Sequence, residues 1–229
     1  MRPFLIYLAA PKDVYQAELF GKDRAFDVAY NDYTETHTIP EQAEYKLSIN
    51  EWKYECFKRH LSHTVSKYQA VALLDDDIQA STQRLNELFQ FGLQHNFNIW
   101  HPTYGPETRE ECQVWDHIRQ RPNSQYRPTN TVDLSAPFFS QYALNKCLHT
   151  FDYNCSGVGL EIVWFHLLQP NPKHMMIDVY PVTHTRRAKM LDGGKDYPPY
   201  PNGLTWDQEL HLVLRRTGLK QKMGKEDVW

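Results

Sequence analysis

The sequence predicts an α/β fold: a mainly parallel central sheet flanked by helices. Three observations carry this. Short apolar runs alternate with helix-compatible stretches along the whole chain. The connections between runs are long enough for crossovers rather than hairpins. The 229 residues, 41% apolar and 23% charged, suffice for one large domain with a sizeable core.

Phe4–Ala10 reads as a first, fully buried strand, ended by Pro11. Arg2 ahead of it gives a superficial likeness to a secretion signal. Seven apolar residues are at the lower limit for such a core, and far too few to span a bilayer. Phe26–Tyr30 reads as a second strand, with Asn31 and Asp32 leading out of it. From Pro40 to Tyr68 a helix-compatible stretch carries Ala43, Leu47, Trp52, Cys56, Phe57 and Leu61, with Ile49-Asn50 as a candidate break. Gln69–Leu74 is a third apolar run, stopped by Asp75-Asp76-Asp77.

Ser81 then caps a helix whose inner face holds Leu85, Leu88 and Phe89. Asn98–His101 is a short strand ended by Pro102. Residues 103–130 lose all period and are read as an inserted active-site or acceptor loop. Val132–Phe139 is strand-like, Gln141–His149 helical, Gly159–Leu168 almost wholly apolar, and Met175–Val179 a last strand. Thr205–Arg216 reads as a C-terminal helix capped by Thr205 and stopped by Gly218. The whole, 1–229, is expected to form a single domain.

Composition excludes several classes. Lys+Arg 25 against Asp+Glu 28 gives a net charge of -3, which fits neither a basic nucleic-acid coat nor an acidic tail protein. Residues 186–229 hold nine Lys and Arg against six acids, so a basic C-terminal segment (188–229) follows an acidic body. It is either a solvated face or a dock for a phosphate-bearing partner. The 10 glycines include no G-x-x-x-x-G-K-[ST], and the only G-x-G, Gly157 and Gly159, has Ile162 where a third glycine belongs. A nucleotide here is not held by a glycine-rich phosphate loop. The four cysteines, Cys56, Cys112, Cys147 and Cys155, form no C-x-x-C pair. They read as free thiols in a reducing interior, and a cytoplasmic protein is expected.

Three constellations could carry chemistry. Asp75, Asp76 and Asp77 directly follow a buried strand. Strand alternation would aim Asp75 and Asp77 the same way and Asp76 the other. Two converging carboxylates repel unless a cation lies between them, and oxygen ligands suit Mg2+ or Mn2+ better than zinc. The plainer alternative is an acidic turn that caps the next helix, but a single Asp would serve for that, and three in a row after a buried strand favour a metal. Glu161 is the one acid within Gly159–Leu168, a setting for a general base, for a carboxylate binding hydroxyls, or for a helix N-terminal Glu satisfied by free N–H groups. His184, beside Arg186 and Arg187, could complete a metal site and face a diphosphate. His60 and His63 read as a solvated face. The D-D-x-x-D pattern fails at Gln79, and no nucleophile motif is present.

These segments together resemble GT-A glycosyltransferases, and more narrowly a GT-A family known as a domain of unknown function. That family has a strand ending in D-E-D, a short strand before a proline, a V-E-x-x-A-P-x-F-S segment, a G-L-D helix start and a terminal strand with histidine. The corresponding stretches are Leu74–Asp77, Ile99–Pro102, Val132–Ser140, Gly159-Leu-Glu161 and Val182-Thr-His184, in the same order over about residues 26–187. Glu161 stands where the family has Asp, and 103–130 has no counterpart.

The resemblance implies a Rossmann-like GT-A domain that moves a sugar from a nucleoside-diphosphate sugar to an acceptor hydroxyl. Asp75 would reach the donor ribose or the metal, Asp77 would ligate Mn2+ or Mg2+, and His184 would be its third protein ligand. Glu161 would deprotonate the acceptor or bind sugar hydroxyls. Tyr7, Asp27 or Asp32 would hold the donor base, while Lys53 and Arg186 or Arg187 would add positive charge at the diphosphate. The acceptor would be a glycan or, given Arg119, Arg121 and Arg127 in the loop, a hydroxylated base in DNA. Two other readings use the same residues: a metal-dependent phosphohydrolase, and a non-catalytic nucleotide or carbohydrate binder.

Overall fold

A computed structural model describes residues 2–11, 17–35, 39–108, 116–185, 200 and 202–219. The strands are β1 (Phe4–Ala10), β2 (Phe26–Asp32), β3 (Tyr45–Leu47), β4 (Ala70–Asp75), β5 (Ile78–Gln79), β6 (Ile99–Tyr104), β7 (Tyr126–Pro128), β8 (Phe138–Ser140) and β9 (His174–His184). The helices are α1 (Lys53–Leu61), α2 (Thr82–Gln94), α3 (Gln141–Cys147), α4 (Leu160–Leu167) and α5 (Trp206–Thr217).

The sheet order is β3-β2-β1-β4-β8-β6-β9-β5, with β7 added on β9. β1, β2, β3, β4, β6 and β9 all run one way; β5, β7 and β8 run against them. The reversed β8 separates β4 from β6, so the carboxyl ends of the long strands share one edge with the segment that enters β8.

Alternation along β1 explains why that run is apolar throughout. Phe4, Ile6, Leu8 and Ala10 enter one core with Leu85, Leu88 and Phe89 of α2. Leu5 and Tyr7 enter the opposite core with Phe57 of α1, Leu144 of α3, Trp164 of α4 and Val213 of α5. A strand covered on both faces has no polar side. Ser81 caps α2 by accepting from the Arg84 N–H at 3.1 Å. Thr205 and Gln208 form a capping box on α5, which Gly218 ends at φ 70°. Among the described residues no helix is long and apolar enough to cross a membrane.

Three expectations are corrected. The stretch from Pro40 to Tyr68 is not one helix: Tyr45–Leu47 pairs with β2 as an edge strand. The Asn31 amide then bonds both the carbonyl and the N–H of Ile49 (2.9 and 3.0 Å), which fixes the break before α1. In Val132–Phe139 only the end is ladder strand. Ser135 and Pro137 still accept from the N–H groups of Asp75 and Leu73 (2.7 and 3.0 Å), but Pro137 has no N–H to give. The last strand is longer than expected, with His174 and His184 at its two ends.

Candidate functional site

The acidic turn lies at the shared carboxyl edge. Asp75 is the last residue of β4, and Asp76 and Asp77 turn the chain into β5, so strand alternation does not extend through them. β5 pairs with the end of β9 (Ile78 opposite His184), and the Thr185 N–H donates to the Asp77 carbonyl at 2.9 Å. This stitching places Asp77 Oδ2 3.2 Å from His184 Nε2. Asp76 instead accepts from the Tyr33 hydroxyl (3.3 Å), at the exit of β2. His184 is buried, its ring stacked on Tyr104 with centroids 5.0 Å apart. Burial works to lower its pKa, but Asp77, with Asp133 and Asp75 behind it, outweighs that and raises it.

Lys53, at the start of α1, donates to Asp75 Oδ1 at 2.6 Å and to the Leu134 carbonyl at 2.5 Å. The Asp75 side chain is 43% exposed, yet the atoms crowded around it raise its pKa. Lys53 opposes this shift, and Asp77 and Asp133 add to it.

Asp133 belongs to the same cluster. Its Oδ1 accepts from the Ser135 N–H (2.9 Å) and the Tyr104 hydroxyl (3.3 Å). His101 Nε2 lies 3.8 Å from that oxygen and 3.2 Å from Ser135 Oγ. His101 is fully buried, which lowers its pKa to about 4 and keeps it neutral. Neither Asp133 nor His101 was assigned a role from the sequence; the signal for Asp133 was an acid shortly before Ala136-Pro137, in the segment whose Ser135 carbonyl accepts the Asp75 N–H.

Glu161 sits in the first turn of α4, behind Gly159 at φ 89°. Its Oε2 accepts the Gly159 N–H at 2.9 Å. Burial pushes its pKa up to about 7, against the pull of the backbone N–H groups and with some help from Asp133. The loop leading to Gly159 is anchored by a second missed acid. Glu209 of α5, fully buried, accepts the N–H groups of Ser156 (2.8 Å) and Cys155 (3.3 Å) and the Asn202 amide (2.5 Å). Burial would raise the pKa of Glu209; these donors more than offset that and lower it.

The expected donor-binding residues divide. Asp32 ends β2 at the site edge, its register partner Ala10 beside the Ala9–Asp75 pair. It accepts from the N–H and hydroxyl of Thr34 at 3.0 and 2.5 Å. Tyr7 is not available to stack on a base: it is 0% exposed, its ring against Phe57 in the core. Asp27 lies near the opposite, amino end of β2, held by Arg2 (2.9 Å) and the Tyr68 hydroxyl (3.0 Å), and is structural. Arg186, Arg187 and residues 220–229 of the basic segment lie outside the described residues.

The described start of loop 103–130 reaches the site, where Thr108 Oγ1 accepts the His184 N–H at 3.1 Å. Arg127, one of its arginines, is turned inward. It pairs with buried Asp178 at 3.1 Å and donates to the carbonyls of His117 and Arg119, so it offers nothing to a nucleic-acid phosphate.

Asp77 Oδ2 and His184 Nε2 offer a hard divalent ion one carboxylate oxygen and one imidazole nitrogen side by side, while Asp75, two residues away, is bonded to Lys53 and does not complete a tight three-ligand cluster with them among the described residues. A second group, Glu51, Cys56 and His60, has ligand atoms within 4.8 Å of one another. There Glu51 already pairs with Arg59 and His60, and burial holds the Cys56 thiol protonated, with its pKa at about 11. That group is a satisfied ion cluster rather than a metal centre.

No protein-family model matches the chain, and no curated protein matches it in sequence. Solved structures do match in fold. S. aureus TarS 1–349 in complex with UDP-GlcNAc is 12% identical, with TM-score 0.57 over 94% of this chain and 65% of that one. Glucosyl-3-phosphoglycerate synthase from Mycobacterium tuberculosis, in complex with Mn2+, UDP and phosphoglyceric acid, is 14% identical, with TM-score 0.55 over 96% of this chain and 80% of that one. GalNAc-T7 with UDP, GalNAc and Mn2+ is 9% identical, with TM-score 0.63 over 94% and 48%. The chain thus spans less than two thirds of the TarS fragment and about half of GalNAc-T7. All three are GT-A glycosyltransferases, and the α/β sheet described above has their fold.

Proposed function

We propose that this GT-A-fold chain is a metal-dependent glycosyltransferase, moving a sugar from a nucleoside-diphosphate donor to the hydroxyl of an acceptor glycan. One observation carries the reading: β5–β9 pairing brings Asp77 to His184 beside Asp75, at the carboxyl edge of the sheet where open α/β folds bind ligands. Solved proteins of the same fold hold UDP with Mn2+.

In this reading Asp77, His184 and Asp75 hold Mn2+ or Mg2+. Such a cation supplies Lewis-acid stabilisation of the departing diphosphate. Lys53 orients Asp75, and Asp32 faces the nucleoside at the end of β2. Glu161 takes the proton from the acceptor hydroxyl as its oxygen bonds to the sugar carbon, and the carbon–oxygen bond to the diphosphate breaks with its electron pair leaving on the phosphate. A pKa of about 7 suits Glu161 to that role, since a base works best when poised near the operating pH.

A thermal-shift screen of nucleotide-sugars with and without Mn2+ tests donor and metal together. Stabilisation by a uridine nucleotide that requires Mn2+ is the expected outcome. A shift independent of Mn2+ for every nucleotide, or no shift at all, contradicts it.

A further inference from the structure

Asp133 has no part in the reaction as described, yet the fold holds it in place with unusual care. Beneath its Oδ1 lies a polar network of His101, Tyr104 and Ser135, exposed by only 0, 2 and 7%. The Tyr104 hydroxyl is 2.5 Å from Ser135 Oγ, and Ser135 Oγ is 3.2 Å from His101 Nε2. Buried polar groups are costly unless paired. Bonded to one another around one carboxylate oxygen, these groups lock that side chain in a single orientation, with only His101 Nδ1 left without a partner among the described residues.

The other oxygen is left over. Asp133 keeps 25% of its side chain exposed. Among the described residues its hydrogen bonds all go to Oδ1, by way of Ser135 and Tyr104.

Its place is beside the acidic turn. The Asp75 N–H donates to the Ser135 carbonyl at 2.7 Å, Lys53 bridges Asp75 and the Leu134 carbonyl, and Tyr104 both bonds Asp133 and stacks on His184. On the other side, its charge acts on Glu161. In a transfer reaction, the group between the leaving diphosphate and the base is the migrating sugar. We propose that Asp133 binds the transferred sugar, its Oδ2 accepting a hydrogen bond from a sugar hydroxyl, and so confines the donor to uncharged sugars. This rests on the glycosyltransferase reading above. An acidic sugar would bring a further carboxylate against Asp133 and Asp75, whereas a neutral hydroxyl gains a charge-assisted bond.

The environment separates the two site carboxylates by role. Burial pushes Asp133 up, but His101 and the bonds from Ser135 more than offset it, so its carboxyl stays below the ordinary range and accepts hydrogen bonds without taking protons. Glu161 has the opposite shift and the opposite task.

The test is calorimetry on the full chain with Mn2+ and five probes: UDP, UDP-glucose, UDP-galactose, UDP-N-acetylglucosamine and UDP-glucuronate. The expected result is that the best neutral sugar nucleotide binds about tenfold or more tighter than UDP-glucuronate, the size of one charge-assisted bond. In Asp133→Asn, which keeps an oxygen for the Ser135 N–H, UDP binding holds while the neutral sugar's advantage over UDP shrinks by about tenfold. A merely structural Asp133 would leave that ratio unmoved, and an unmoved ratio overturns the proposal. So does UDP-glucuronate binding as well as the neutral donors, a result read on the unaltered protein whether or not the variant folds. Failure of the underlying reading looks different: UDP itself would then not bind with Mn2+, and both fall.

Discussion

The two halves of the sheet are built on different chemistry. In β3-β2-β1-β4 the interior is apolar: Leu5, Ile6, Tyr7, Leu8, Val71, Ala72 and Leu73 are fully buried. The buried polar groups of this half, Asp27, Asn31 and Asp32, lie toward the ends of β2. In β8-β6-β9 polar groups are buried mid-strand: His101, Thr103 and Asp178 are 0, 0 and 1% exposed. Each has a partner, as when the Thr103 hydroxyl donates to the Ile177 carbonyl at 3.0 Å. The first half is a platform held by hydrophobic burial, and the second is a polar frame that aims side chains at the edge where the halves meet. The candidate site draws Asp75 and Asp32 from the platform and Asp133 and His184 from the frame.

The largest effect that would break this division is at Glu161. Glu161→Gln should lower transfer by about 10²–10⁴-fold while Mn2+ and donor binding persist, measured by turnover and calorimetry side by side. Unchanged turnover would remove Glu161 from the chemistry.

Next is the frame itself. Asp178→Asn leaves Arg127 facing a neutral group in a site where Asp178 also accepts the Arg121 N–H at 2.9 Å. Breaking such a buried pair should cost about 3–5 kcal/mol in urea unfolding. A loss below about 1 kcal/mol would mean the frame tolerates unpaired charge, as an exposed surface does.

A smaller effect is the response to acid. His101 stays neutral when folded down to about pH 4, and His174, lowered by burial, to about pH 3. The unfolded chain protonates both near pH 6.5. Within that window the unfolded state binds more protons, so stability falls as pH drops, by on the order of 3 kcal/mol from His101 alone. Glu161, raised to about 7, acts oppositely: between about pH 4.5 and 7 the folded state holds the extra proton. Unfolding curves at pH 7 and 4.5 should therefore show Glu161→Gln losing more stability on acidification than the unaltered protein does. Equal losses would place Glu161 in water.

Legibility in the sequence follows the same division. The platform could be read because a strand buried on both faces leaves an unbroken apolar run, as Phe4–Ala10 and Gln69–Leu74 do. Asp75 and Asp77 stood out because three carboxylates ended such a run. Tyr7 and Asp27 misled because a residue type says nothing about which end or face of a strand it occupies. Burial and register decided both. The frame was illegible for a deeper reason. His101, Asp133, Ser135 and Glu209 acquire meaning only from partners far along the chain, such as Glu209 on Ser156, and a lone polar residue carries no periodicity. Arg127 reads as surface charge until Asp178 is found beneath it.

Asp77 is the residue on which the proposed metal site most directly depends. Calorimetry of UDP binding with and without Mn2+, in the unaltered chain and in Asp77→Ala, measures whether the acidic turn holds a cation for a diphosphate. Binding should require Mn2+ and weaken at least about tenfold in Asp77→Ala, with the fold retained. UDP binding that ignores Mn2+, or that is undiminished in Asp77→Ala, would contradict it.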